Sequence, residues 1–307
     1  MRGFITDPDE PAGLALADDL PEPNPAADEL IVEVGAYSVN RGELYLLGQR
    51  TDGWRPGQDA AGEVMRPAAD GTGPQGGTRV VAVVDGAGWS ERVAVPTRHV
   101  AELPDAVTTE QAASLPIAGL TALRALRLNG PLLGRSVLIT GATGGVGQIA
   151  VQLALAAGAR VTAQVSSPDR EEEARELGAR HVVWDLDDES LGPFHLVLDG
   201  VGGPVLKSAV HRLAPGATVA AYGTVGGAAE LGLPDFASAP LSKVVGFFHA
   251  VPEDEKGADL ATLVHLVAER RLTPRLGVVR DWAQTREVLS ELANREVRGK
   301  AVLTLDG

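Results

Sequence analysis

The stretch VLITGATGGVGQIAVQLALAAGARVTAQVSS, Val137 to Ser167, constrains the fold of this 307-residue chain more than any other. It reads as a buried strand, a glycine turn, an apolar helix ending near Gly158, and a second strand, RVTAQV. Two strands joined by a helix are parallel neighbours, because only a crossover of a dozen or more residues returns the chain to the same end of a sheet. The pattern then repeats. PDREEEARELGA reads as a helix, and HVVWDL, FHLVLDGVG, TVAAYGTVGG and KVVGFFHAV read as further strands. Strand and helix in alternation predict an α/β fold with a doubly wound parallel sheet.

Within the turn, GATGGVG places Ala142, Gly144 and Gly147 in the A-x-G-x-x-G spacing of a Rossmann dinucleotide fingerprint. Gly144 lets backbone approach a pyrophosphate, and Gly147 lets the helix pack close to the strand. With Thr143 beside them, the N–H groups of Gly145 and Val146 open the helix toward a phosphate. A ligand-free glycine turn is the bland alternative, and the flanking strands and helix argue against it. Sites that prefer NAD carry Asp or Glu at the end of the second strand. Here Ser166 and Ser167 stand in that place, with Arg170 nearby. Hydroxyls and a guanidinium suit a 2′-phosphate, so NADP(H) is the expected cofactor. Ser167 equally suits the N-cap of a helix opening at Pro168. Gly200, Tyr222 and Gly223 fall at the C-terminal ends of later strands, where doubly wound sheets bind ligands.

Residues 1 to 115 have a different texture. ELIVEVGAYSVN, GTRVVAVV and ERVAVP are short β-rich runs separated by glycine and proline, which predicts a small barrel-like domain. TTEQAASLPIAGLTALRALRL is rich in helix formers, with a break at Pro116. From about Lys256 the chain turns helical, and GKAVLTLDG supplies one more strand, expected to return to the first domain. Arg298 and Lys300, just before it, are read either as phosphate contacts or as solvated surface charges.

Composition closes several doors. A net charge of −14 excludes a general nucleic-acid role, because phosphate binding needs basic surface. No apolar run has the length of a membrane span, and MRGFITDPDEPAG lacks a signal-peptide core, so no membrane role and a cytoplasmic location are expected. With no cysteine there are no disulfides, thiolate metal sites or cysteine nucleophiles, and the histidines are scattered. No metal is expected. Arginine far outnumbers lysine, which with the Ala and Gly content hints at a bacterial genome rich in G and C.

The motif series identifies a family. SVNRGELYLLG, GQDAAGEV, SLPIAGLTAL, GATGGVGQIAVQLA, ELGARHVV, LVLDGVGG and GKAVL occur in family order over essentially the full length. Together they resemble a zinc-independent medium-chain dehydrogenase/reductase of the quinone oxidoreductase type. The resemblance implies a GroES-like β-barrel catalytic domain split between residues 1–117 and 253–307. A Rossmann NADP-binding domain would be inserted at 118–252, with a cleft between the two and a homodimer formed through the last Rossmann strand. Where zinc-dependent relatives have Gly-His-Glu, this chain reads Gly57, Gln58, Asp59. By resemblance Asn40 lies beside the nicotinamide, Tyr45 in the substrate pocket, Thr121 on a cofactor-facing helix, and Phe247 and Phe248 on the last strand near the nicotinamide. Asn40 read alone is a turn residue and Tyr45 a packed aromatic. Glu43 stands where the family often has Asp.

The implied activity is NADPH-dependent hydride transfer to a quinone or an α,β-unsaturated carbonyl, with Asn40 and Tyr45 as catalytic hydrogen-bond donors. Two alternatives stand beside it: a non-catalytic NADP(H)-binding sensor or scaffold, and an enoyl reductase of secondary metabolism.

Overall fold

The structure is a computed structural model and describes residues 1–50, 53–247 and 256–305. It divides into two compact units, one formed by Met1–Leu120 with Glu253–Gly307 and the other by Thr121–Pro252.

The first unit opens with an antiparallel pair, β1 (Gly3–Thr6) and β2 (Leu14–Ala17). β3 (Glu29–Val39) leads into helix α1 (Arg41–Gln49), and β4 (Asp59–Arg66), β5 (Arg79–Val83), β6 (Arg92–Pro96) and β7 (Val100–Glu102) follow. Next come α2 (Thr109–Ala113) and α3 (Pro116–Arg127), the latter counted with the second unit from Thr121 on. Pro116 opens α3, where its missing N–H costs nothing.

The second unit contains β8 (Ser136–Ile139), α4 (Gly145–Ala156), β9 (Arg160–Gln164), α5 (Glu171–Glu176), β10 (His181–Val183) and β11 (Phe194–Asp199). α6 (Gly203–Val210), β12 (Leu213–Ala221) and β13 (Lys243–Gly246) complete it. The chain then returns to the first unit with α7 (Lys256–Ala268), β14 (Leu276–Asp281), α8 (Thr285–Ala293) and β15 (Lys300–Thr304).

In the first unit a seven-stranded sheet runs β14-β15-β3-β4-β5-β7, with β6 also paired to β3. β3 is its hub. Its first half, Glu29–Glu33, pairs with β6, and Ala36–Val39 pair with β15. The C-terminal strand thus returns to the first unit and lies antiparallel to β3, a pairing the sequence did not specify. The register of β3 against β4 shifts between Ile31 and Val32 and again between Val34 and Ala36, the second shift falling where β3 passes from its β6-paired to its β15-paired stretch. Tyr37 is buried, stacks on Trp89 at 5.7 Å and shares a 2.6 Å hydroxyl contact with Thr285, which pins the start of α8 to β3.

In the second unit the sheet runs β10-β9-β8-β11-β12-β13, and every pair is parallel. With β8 counted first, the order is third, second, first, fourth, fifth, sixth. This is the doubly wound Rossmann order, and it reverses between β8 and β11. Strand residues Val137–Ile139 and Leu196–Leu198 are fully buried, as helices on both faces of a parallel sheet require.

Two predicted elements are shorter than expected. The helix read from Pro168 onward is a 3₁₀ turn, Pro168–Arg170, followed by α5, because Arg170 leaves the helical region at φ −100°, ψ 1°. The last strand stops at Gly246, whose partner Ala221 ends β12; beyond it Phe247 keeps one N–H bond to Ala221, at 2.8 Å. Phe248 lies outside the described residues.

Candidate active site

The glycine turn sits at the reversal point of the second sheet. Gly144 caps α4, and the turn behind it is fixed from β9. The Gln164 side chain accepts the Gly141 N–H at 3.1 Å, and the Gln164 carbonyl accepts the Ala142 N–H at 2.9 Å. A Cβ on Gly147 would run into the Gly141 carbonyl and the Ala142 backbone, so only glycine lets α4 close onto the turn. The Gln148 N–H is taken by Gly144 O at 3.0 Å. The N–H groups of Gly145, Val146 and Gly147 meet no acceptor among the described residues, which leaves the first turn of α4 open to an anion.

Thr143, nearly buried, accepts a 3.4 Å bond from the Arg170 guanidinium. The structure thereby brings together the glycine turn and the cation read from the second strand. Ser166 is exposed and Ser167 half-buried. Ser167 precedes the 3₁₀ turn, yet its hydroxyl caps nothing, so the capping alternative is not realised.

Across the reversal, β11 ends at Asp199. Its carboxylate takes the Thr140 hydroxyl at 2.6 Å and the Gly202 N–H at 2.9 Å, and burial raises its pKa. Gly200 and Gly223 touch: a Cβ on Gly223 would collide with the Gly200 carbonyl, and one on Gly200 would meet the Tyr222 ring at 2.8 Å. Both glycines therefore have a packing reason of their own. The Tyr222 hydroxyl oxygen is buried without a hydrogen-bond partner among the described residues, and burial beside Asp199 drives its pKa up. Buried hydroxyls in folded proteins are nearly always bonded, so this open one beside Gly200 is an exception. Thr121, on α3, is buried, and Phe247 is half-buried just past β13.

In the first unit, Asn40 caps α1 through its backbone and is 9% exposed. Its N–H donates to Glu43 Oε2 at 2.7 Å, and its carbonyl accepts the Glu43 N–H at 3.0 Å. Glu43 also takes the Gln58 N–H at 2.9 Å, which ties α1 to the start of β4. Burial and the nearby Asp59 carboxylate push the Glu43 carboxyl from 4.5 to about 8, against the opposing pull of these N–H groups and Lys300. The Asn40 side chain donates Nδ2–H to Asp59 at 2.7 Å and accepts Lys300 Nζ at 2.6 Å. Asp59 in turn receives Ser38 Oγ and the Ile117 N–H, the latter at 2.8 Å.

Two sequence readings are corrected here. Lys300 is 3% exposed and paired to Asp59 at 3.4 Å, so it is neither a phosphate contact nor a solvated charge. The helix packing read for Tyr45 alone is not realised either: its ring, on α1, is 69% exposed. Sequence reasoning missed Asp59 and Lys300 as partners of Asn40, and Gln164 as the clamp on the turn. The Gly57-Gln58-Asp59 segment was the available signal for Asp59. Among the described residues no three His, Cys, Asp or Glu side chains are grouped to hold a metal.

A family model described as zinc-binding dehydrogenase matches residues 145–265. That match begins beyond residues 57–59 and so says nothing of metal ligands. The chloroplast envelope quinone oxidoreductase homolog of Arabidopsis thaliana is 34% identical over 180 residues, 53% of this chain and 54% of that protein. A highly reducing polyketide synthase of Arthrinium phaeospermum is 32% identical over 230 residues, 68% of this chain and 9% of the synthase. The chain thus spans about half the length of the first of these relatives and a small part of the second. The solved structure of mycobacterial Rv1454c complexed with NADPH superposes with a TM-score of 0.87 at 26% identity, over 99% of this chain and 100% of that one. Doubly wound sheet order, glycine turn, a split first unit and these likenesses converge: the chain is similar to medium-chain dehydrogenase/reductases of the quinone oxidoreductase type.

Proposed function

We propose that this protein is an NADPH-dependent oxidoreductase that reduces a quinone or an α,β-unsaturated carbonyl without a metal ion. The observation that carries the reading is the open first turn of α4. Three N–H groups lack acceptors there among the described residues, beside Thr143 and Arg170 and at the reversal of the sheet. The NADPH complex of a protein built along the same full-length fold supports the cofactor. In this reading Ala142 to Gly147 hold the diphosphate. Ser166, Ser167 and Arg170 take the 2′-phosphate. Thr121, Gly200, Tyr222, Gly223 and Phe247 border the nicotinamide half.

The nicotinamide supplies the hydride. The protein's own task is to orient the acceptor and stabilise the oxyanion that develops on it. Asn40 does so with the Nδ2–H not used by Asp59, and the exposed Tyr45 hydroxyl adds a second donor. We further read the first unit as a GroES-like barrel and the active protein as a cytoplasmic homodimer. Among the described residues no helix is long and apolar enough to cross a membrane. A second reading, reduction of carrier-bound enoyl thioesters, is favoured by the match to a polyketide synthase.

The test is NADPH oxidation with a panel of quinones, simple enones and enoyl thioesters. Turnover confined to quinones and enones is the expected result. Activity only with thioesters selects the second reading. Tight NADPH binding with no turnover on any of them leaves the sensor or scaffold.

A further inference from the structure

The Asn40 carboxamide is held by two partners whose chemistry leaves it one orientation. An ammonium only donates, and a carboxylate only accepts. Lys300 Nζ lies 2.6 Å from one end of the amide and Asp59 Oδ2 2.7 Å from the other. The oxygen must therefore face Lys300 and the nitrogen Asp59; the reverse would set donor against donor and acceptor against acceptor. The three Nζ protons have three acceptors, Asn40 Oδ1, Asp59 Oδ2 at 3.4 Å and Val39 O at 3.5 Å, so the ammonium is fully engaged. Asp59 is just as fully engaged by Ser38, Asn40, Ile117 and Lys300. Within this group the second Nδ2–H of Asn40 is the donor left over.

We propose that Lys300 is a positioning residue: with Asp59 it fixes the polarity of the Asn40 carboxamide so that the remaining Nδ2–H is presented to the substrate oxygen. This rests on the reading above that Asn40 acts on substrate. Lys300 itself touches no reacting atom. An ammonium on Oδ1 draws density from the amide and makes the free N–H a better donor than a lone asparagine offers.

The experiment has a kinetic arm and a spectroscopic arm. In the first, Lys300→Met, Asn40→Ala and the double variant are compared for kcat and for NADPH affinity. Lys300→Met is expected to lower kcat about tenfold and to leave NADPH affinity within about twofold. It should cost nothing further in the Asn40→Ala background, since two residues acting through one hydrogen bond are non-additive. An equal loss in both backgrounds overturns the proposal.

In the second arm, the Asn40 side-chain N–H signals are assigned by NMR through their loss in Asn40→Ala. One Nδ2 proton should be shifted downfield and slow to exchange in the parent. Both features should be lost in Lys300→Met. Should that variant not fold, Asp59→Asn/Lys300→Gln removes both charges together and is read the same way. Unchanged Asn40 signals in a folded variant overturn the proposal. If the parent reduces no acceptor, the functional reading falls, and this arm alone decides whether Lys300 sets the amide.

Discussion

At the scale of single residues, the first unit buries charge where a core would normally exclude it. Asp59 and Lys300 are both almost fully buried, and removing either leaves the other uncompensated. Breaking such a pair from one side costs roughly 3–5 kcal/mol, whereas replacing both partners costs far less. Asp59→Ala should therefore lower the unfolding free energy by about that amount in urea titrations, and adding Lys300→Met should restore most of it.

Glu43 makes a prediction about pH. Its folded-state pKa is raised, so the native state holds the carboxyl proton after the unfolded chain has lost it. Stability from this group is complete below the ordinary value of 4.5 and falls as pH rises toward about 8, with Asp59 and Lys300 as the charged neighbours that tune it. The difference in unfolding free energy between parent and Glu43→Ala should shrink between pH 5 and pH 8. A difference that grows would show the carboxylate to be the favoured form. Arg170 bears on cofactor choice: Arg170→Ala should weaken NADPH about tenfold and leave NADH nearly unaffected, as equilibrium titration with both will show.

At the scale of elements, α4 and the turn before it separate two glycines that look equivalent in the sequence. A methyl on Gly147 meets turn backbone from two sides, while one on Gly144 would lie 3.2 Å from the Gly141 carbonyl. Gly147→Ala should thus destabilise the second unit by about 1–3 kcal/mol through overpacking. Gly144→Ala should keep the fold and lose NADPH affinity instead. Thermal unfolding and dinucleotide titration on the two variants separate packing from binding; equal behaviour would refute the distinction. The same contrast explains α5. Three glutamates at its start favour a helix N-terminus, yet Pro168 and the non-helical Arg170 hold the preceding turn apart from it.

At the scale of the molecule, the first unit is closed by strands far apart in the chain. β15 sits between β14 and β3, and it carries Lys300 to Asn40. A chain cut after residue 299 should leave β3 without this partner and lose the first unit's fold, seen as loss of strand signal in circular dichroism. NADPH at about 100 times its Kd should raise the unfolding free energy by about 2.7 kcal/mol, because a ligand that binds only the folded state stabilises it. No shift in melting temperature on adding NADPH would remove the basis of the functional reading.

By itself the sequence determined whatever depends on neighbours along the chain. Parallel strands need crossovers and a phosphate turn needs glycines a few residues apart, so Val137 to Ser167 already specified the doubly wound sheet and the place of the turn. The element limits at Arg170 and Gly246 were not legible, since backbone angles and the end of a partner strand set them. The setting of Asn40 was decided only by tertiary structure. Its partners Asp59 and Lys300 lie 19 and 260 residues away, and no local pattern encodes their meeting. Charge burial is affordable only after β3, β4 and β15 have brought an ammonium, a carboxylate and an amide into mutual reach.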